Sequence, residues 1–225
     1  MEKSFGAKIN FHLDILPKEA KKVLDWLSAQ KWLEKNDWYL AGGTALALKM
    51  GHRQSVDLDF FTPQNRFDNI DLLDRLSLSD DIKIKVNKDN TIYAELFKVK
   101  VSFISYPFFI PKQEMFNYGY VKILQPLDIA VMKIIAISQR GKKRDFFDLY
   151  WCAKNIEPLQ EIIERLPAQY PSIAHNYHHI LKSLVFFEDA ENDPAPELNF
   201  RTNWKEVKNF FIKEVPKITK DIMKL

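Results

Sequence analysis

The stretch Trp38-Tyr39-Leu40-Ala41-Gly42-Gly43-Thr44-Ala45-Leu46-Ala47-Leu48-Lys49-Met50-Gly51, continued by His52-Arg53-Gln54-Ser55-Val56-Asp57-Leu58-Asp59-Phe60-Phe61, decides the fold. A short apolar run meets two glycines, an Ala/Leu-rich segment follows at once, and a second apolar run carries two acids. The first run predicts a strand ending in a tight turn. Residues 44–50 predict a short helix stopped at Gly51, and residues 56–61 predict a second strand closed by Thr62-Pro63. Glycines let the backbone approach a phosphate closely with its N–H groups outward. The helix behind them offers its positive end to the anion. Asp57 and Asp59 stand at i and i+2 of a strand, which puts both carboxylates on one face. Two such carboxylates can hold one or two Mg²⁺ ions beside that phosphate, the arrangement that in-line phosphoryl or nucleotidyl transfer requires. A lone Gly-Gly is only a turn, and Asp-x-Asp is common by chance. Two acids on one side of a strand otherwise made of Val56, Leu58, Phe60 and Phe61 are costly unless paired or metal-bound.

Outward from this stretch, residues 17–36 carry apolar positions at helical spacing (Val23, Leu24, Leu27, Trp32, Leu33) behind Pro17, which suits a first helical turn. Residues 68–78 predict a helix. Residues 82–86, 91–97 and 100–105 alternate like sheet strands, with 87–90 as a turn. The character changes near Pro107, and from Pro126 the pattern is helical over 126–140, 143–155, 157–166, 171–187 and 203–223. Residues 188–196, acidic and Pro-containing, predict a surface loop. The expected class is α+β, with an N-terminal half over 1–110 and an all-helical half over 111–225, the transition falling around 107–125.

Composition narrows the function. The 225 residues suffice for one large domain or two small ones with a proper core. With 46% hydrophobic and 28% charged residues, disorder is excluded. A single cysteine, Cys152, excludes a disulfide framework and a multi-cysteine zinc site. The net charge of +3 permits contact with nucleic acid without arguing for it. The polar start, Met1-Glu2-Lys3-Ser4, does not read as a signal peptide, and no apolar run is long enough for a bilayer, so a cytoplasmic setting and no membrane partner are expected. P-loop, dinucleotide and protein-kinase signatures are missing.

A second constellation lies in the helical half. Lys133 interrupts an apolar helix, so it either snorkels or faces an anion such as a triphosphate. The next helix opens Lys142-Lys143-Arg144-Asp145-Phe146-Phe147-Asp148, with Asp145 and Asp148 on one helix face. Asp145 also suits a helix start as a dipole-stabilising acid. The basic triplet either meets an RNA backbone or is a solvated cluster, the latter preferred. His175, His178 and His179 read as surface or packing residues rather than a zinc site.

The Ala-Gly-Gly-Thr-Ala-Leu-Ala-Leu, Gly-His-Arg-Gln-Ser and Val-Asp-Leu-Asp-Phe-Phe segments, in this order and spacing, resemble the signature of the AbiEii-type nucleotidyltransferases, toxins of type IV toxin–antitoxin and abortive-infection systems within the DNA polymerase beta-like superfamily. The resemblance runs from about residue 36 to 155 and more loosely to the end. It implies a polymerase beta-like domain of mixed sheet and helices, followed by helices that complete the cleft. Asp57, Asp59, Lys133 and Asp148 are the expected catalytic residues, with Asp57 and Asp59 the metal ligands. Gly42, Gly43, Thr44, Arg53, Ser55 and Asp145 are expected at the nucleotide. For Arg53 the alternative is a simple pair with Asp57 or Asp59. The implied cofactor is Mg²⁺ or Mn²⁺, the substrate an NTP, and the acceptor RNA, with a tRNA 3′ end leading. A cognate antitoxin follows from the resemblance, without a stable complex being implied. The superfamily often carries a third acid on a neighbouring strand. Ser102 stands at that place, and Glu95 is a possible substitute. Other readings are a protein AMPylase, a small-molecule nucleotidyltransferase, and a non-catalytic nucleotide-binding regulator.

Overall fold

Tyr39–Ala41 forms β1, and its hydrogen-bonded neighbours organise the rest of the chain. The computed structural model describes residues 10–79 and 81–223; the polar start Met1-Glu2-Lys3-Ser4 lies outside them. In chain order the main elements are α1 (Lys18–Ser28), β1, α2 (Gly42–Met50), β2 (Leu58–Thr62), α3 (Asn69–Leu76), β3 (Ile82–Lys88), β4 (Thr91–Leu96) and β5 (Val99–Ser105). Then come β6 (Phe116–Tyr118), β7 (Val121–Ile123), α4 (Pro126–Arg140), α5 (Lys143–Asn155), α6 (Leu159–Glu164), α7 (Leu166–Gln169), α8 (Tyr177–Ser183), α9 (Glu188–Glu191) and α10 (Trp204–Met223).

The strands make one mixed sheet in the order β3-β4-β5-β2-β1-β7-β6. β2 runs antiparallel to β1 and parallel to β5, while β7 runs parallel to β1. The helical half packs on the N-terminal half through α4 and α5 against α2, which itself lies on β1 and β2; the buried face of α4 includes Ile129, Ala130, Ile134 and Ile137. The class expected from sequence, α+β with a mixed sheet and helices following, is the one observed.

Local chemistry explains the boundaries. α1 buries Ala20, Val23, Leu24 and Leu27, one stripe at helical period. Asp68 caps α3, its carboxylate accepting from the backbone N–H groups of Ile70 and Asp71. α4 opens with Pro126 in its first turn and stops at Gly141.

Several expectations need correction. The helix over 17–36 is broken after Ser28, and only a 3₁₀ turn, Lys31–Glu34, follows. The strand expected from residue 56 begins at Leu58, so Asp57 stands one position before it and Val56 is exposed. The hairpin β6–β7 was unforeseen; it joins the sheet beside β1, and its ring of Tyr118 stacks edge-on against Phe11. Of the helix expected over 171–187 only Tyr177–Ser183 forms, and one helical turn, Glu188–Glu191, occurs inside the expected acidic loop.

Candidate active site

β1 ends where α2 begins, and Gly42 makes the corner with a φ of +71°, a conformation that favours glycine. A Cβ there would also lie 3.0 Å from Asp59 Oδ2, so the acid of β2 sits directly over the start of α2. The register agrees, with Ala41 opposite Asp59. On the other side of β2, Ser102 of β5 faces Asp59 and donates its hydroxyl to Oδ1 at 2.7 Å. Thr44 is buried. Its hydroxyl is 2.8 Å from that of Ser55 and also donates to the carbonyl of Asp57, which fixes the loop that presents Asp57.

These residues line one cleft of about 840 Å³ between the sheet and α4–α5. Gly42, Gly43, Thr44, Arg53, Ser55, Asp57, Asp59 and Lys133 all face it, as the sequence leads one to expect. Ser102 and Glu95 face it too. The cleft has two arms beyond the Asp59–Ser102 pair. One is apolar, made by Phe61, Ile104, Tyr106, Ile129 and Met132; the other carries Lys85, Tyr93, Glu95 and Lys100.

Asp145 and Asp148 do not line the cleft. Both are fully buried beneath its wall in a network of ion pairs. Asp148 takes Arg53 in a fork, Nε to Oδ1 at 2.6 Å and Nη2 to Oδ2 at 2.9 Å. Its Oδ1 also takes His52 Nε2 at 2.8 Å, and its Oδ2 takes Lys133 Nζ at 2.7 Å. Burial works to raise its pKa, but Arg53 and Lys133 outweigh burial and hold the carboxyl well below the usual range. With both oxygens filled by Arg53, His52 and Lys133, the carboxylate presents no open face to the cleft. The expected catalytic contact of Asp148 is therefore corrected to a positioning one.

Asp145 is corrected in the same way. It sits in the first turn of α5, but its oxygens hold Lys133 Nζ at 2.6 Å and Arg140 Nε at 3.0 Å rather than a nucleotide. Burial opposes its charge, and Lys133 and Arg140 overcome that and lower its pKa. Lys133 neither snorkels nor stands free. It bridges Asp145 and Asp148, which together raise its pKa against the pull of burial.

Arg53 does not pair with Asp57 or Asp59; its partner is Asp148. Of the basic triplet, Lys142 and Arg144 are exposed as the solvated reading expects, each in an ion pair, and only Lys143 departs from it. Lys142 pairs with Asp193 and Arg144 with Asp57 Oδ2 at 3.1 Å, while Lys143 is buried and donates to the carbonyls of Glu191 and Asp193. Sequence reasoning missed Arg140 and Arg144 as cleft residues. The available signal was their i, i+4 placement around Gly141, where α4 ends and α5 starts.

The histidines behave as expected: His175 and His179 hydrogen-bond to the carbonyls of Tyr170 and Ser138. Among the described residues no group of three or more His, Cys, Asp or Glu could hold a metal ion. Cys152 is a buried core residue. No helix among the described residues is long and apolar enough to cross a membrane.

A strand–glycine corner–helix thus faces Asp59 of the next strand and Asp57 just before it, on a mixed sheet backed by helices. The family model "Nucleotidyl transferase AbiEii toxin, Type IV TA system" matches residues 27–100 and 78–222. The chain belongs to this family of nucleotidyltransferase toxins. An uncharacterized protein of Aquifex aeolicus (strain VF5) is 36% identical over 183 residues, spanning 80% of this chain and 87% of the relative. Among solved structures, a candidate nucleotidyltransferase from H. pylori aligns over 92% of this chain and 98% of its own, with a TM-score of 0.53 and 21% identity. MenT4, a nucleotidyltransferase toxin from Mycobacterium tuberculosis H37Rv, aligns over 92% of this chain and 88% of its own, with a TM-score of 0.51 and 16% identity. At these identities the two structures bear on the fold alone.

Proposed function

We propose that this enzyme moves a nucleoside monophosphate from an NTP to an acceptor hydroxyl of RNA, a tRNA 3′ end being the first candidate, with Mg²⁺ as cofactor. The observation that carries the reading is the placement of Asp59 over the glycine corner of α2, with Asp57 lining the same cleft, whose other wall holds Lys133, Arg140 and Arg144. The backbone N–H groups at Gly42 and Gly43, with the positive end of α2, receive the phosphates. Thr44 and Ser55 shape that corner rather than contact the nucleotide. The apolar arm takes the base by stacking on Phe61 and Tyr106.

The donor set fits Mg²⁺. Two carboxylates, with no third His, Cys, Asp or Glu grouped with them among the described residues, suit an ion that keeps waters and shares its coordination with substrate phosphates. Bound there, the ion would stabilise charge on the transferring phosphate and the leaving pyrophosphate. Asp57 and Asp59 would hold it, with Ser102 fixing the orientation of Asp59. The acceptor oxygen bonds to the α-phosphorus while the bond to the oxygen of the β-phosphate breaks. The hydroxyl proton passes to a cleft carboxylate, Asp59 or Glu95, and pyrophosphate leaves. In this reading residues 1–110 supply the transferase half, and α4 and α5 from 111–225 complete the cleft. The family context adds a cognate antitoxin as partner.

The test supplies purified protein with Mg²⁺ and each α-labelled NTP, with tRNA, with total RNA, or with neither. Labelled RNA is expected, and Asp57→Ala/Asp59→Ala should reduce it by about three orders of magnitude or more. Label on protein instead would move the reading to AMPylation. Nucleotide binding without transfer to any acceptor would favour the regulator.

A further inference from the structure

In the arm of the cleft that holds Lys85, Tyr93, Glu95 and Lys100, only Glu95 has a task in the chemistry just described, as one of two proton acceptors; Lys85, Tyr93 and Lys100 have none. Register shows what it is. Asp59, Ser102 and Tyr93 are directly opposite one another on β2, β5 and β4, so they form one row across the sheet on the cleft face. With strands about 4.8 Å apart, Tyr93 lies about 10 Å from Asp59. Tyr93 is 43% exposed, an aromatic face open to the cleft. In the next row Lys100, Glu95 and Lys83 are opposite one another, and Lys88 stands opposite Thr91 on the same face. Lys85 sits where the β3–β4 register shifts, and it also lines the cleft, 3.5 Å from Glu95. Four lysines thus share this face with one glutamate.

Lysines on an edge strand have an ordinary explanation, and β3 is the edge of this sheet. Charge there discourages pairing with another sheet. That accounts for Lys83 and Lys88. It does not account for Lys100, which is two strands in on β5, nor for the exposed Tyr93 between the lysines and Asp59. A positive track with an aromatic platform is what a single nucleic-acid strand requires: cations for its phosphates and a π-face for an unstacked base.

We propose that the β3–β4–β5 face is the acceptor site, where the 3′ end of a single-stranded RNA lies with a terminal base on Tyr93 and its backbone phosphates at Lys85 and Lys100, bringing its last hydroxyl to Asp59. The site rests on the RNA-acceptor reading above. The nucleotide keeps the glycine corner and the apolar arm, and the acceptor approaches from the opposite side of the Asp59–Ser102 pair.

Two measurements test this. The first is fluorescence anisotropy of a short 5′-labelled single-stranded RNA without NTP, over a range of salt. The second is the KM for acceptor RNA and for NTP in the labelling reaction. Lys85→Gln/Lys100→Gln, at two exposed positions, should lower the salt slope of binding by about 0.7 per lysine and raise the RNA KM about tenfold. Tyr93→Leu should weaken RNA binding about tenfold, and Tyr93→Phe should restore it. The NTP KM should stay as in wild type throughout. Wild-type RNA binding and salt slope in the lysine variant, or in Tyr93→Leu, would overturn the proposal. So would an equal rise in both KM values. The two readings separate cleanly: RNA binding that depends on Tyr93 and the lysines without any transfer to RNA refutes the transfer reading and upholds this site. Transfer to RNA that ignores these variants does the reverse.

Discussion

A single methyl group on Gly43 would come within 2.0 Å of Arg53 Nη2, the nitrogen that Asp148 holds. Gly43 is thus kept small by a side chain ten positions along the sequence, whose direction is set by an acid another 95 away. The second glycine of the pair serves space more than backbone freedom, since only Gly42 has a positive φ. Gly43→Ala should push the guanidinium off Asp148 and cost about 1–3 kcal/mol, as overpacked sites do. Urea unfolding measures that loss, and the labelling assay should show activity falling with it. A wild-type midpoint would mean that Arg53 moves aside freely.

At the scale of elements, the two constellations on the cleft are carried by short segments pinned from behind. α5 is held against the sheet side by its acids and on its other side by α10, which buries Val207, Phe211, Val215 and Ile218 in one stripe. Phe146 of α5 packs edge-on to Phe211 with ring centres 5.5 Å apart. Phe211→Ala should cost about 3–5 kcal/mol. The next residue, Ile212, is 53% exposed, and Ile212→Ala should stay within about 0.5 kcal/mol of wild type. Thermal and urea unfolding of the pair checks this, and similar losses in both would refute the packing assigned to α10. The segment between α9 and α10 also reaches the active-site side. Gln54 donates to the Glu197 carbonyl at 2.9 Å and Asn199 to that of His52 at 2.9 Å, which braces the residues leading to Asp57.

At the scale of the molecule, the buried network of His52, Arg53, Lys133, Asp145 and Asp148 joins the sheet half to α4 and α5. Removing one member strands the others. Asp148→Asn should cost about 3–5 kcal/mol at neutral pH, because Arg53 and Lys133 are left buried without their partner. The same network sets the response to acid. The folded-state pKa of Asp148 is depressed, so its stabilisation is complete above the ordinary carboxylate value near 3.9 and disappears as pH falls through the lower folded value. His52 is also depressed, first by burial and against the pull of Asp148. Its unfolded form takes a proton near pH 6.5 while the folded form resists, so stability begins to fall below that pH. Wild type should therefore lose stability in two windows, a shallow one below about pH 6.5 and a steeper one below about pH 4. In Asp148→Asn the lower window should flatten. Urea midpoints across the pH range measure both, and an unchanged acid slope in the variant would remove Asp148 from this role.

The local features were legible in the residues. The glycine corner, Asp57 and Asp59, the bounds of α4 and α5 and the strands β3 to β5 follow from periodicity, turn chemistry and spacing, which act over a few neighbours. The partner of Arg53, the burial of Asp145 and Asp148 and the hairpin β6–β7 were not legible. The Arg53–Asp148 pair and the docking of β7 on β1 depend on contacts between residues more than eighty positions apart, and a charged side chain in sequence carries no mark of whether it will face solvent, substrate or another charge. Sequence determined that the glycine corner and the two acids share one site. The tertiary structure decided that the second pair of acids lies beneath the site, because only packing α4 and α5 on one another and on α2 takes those carboxylates out of water and gives each a cation.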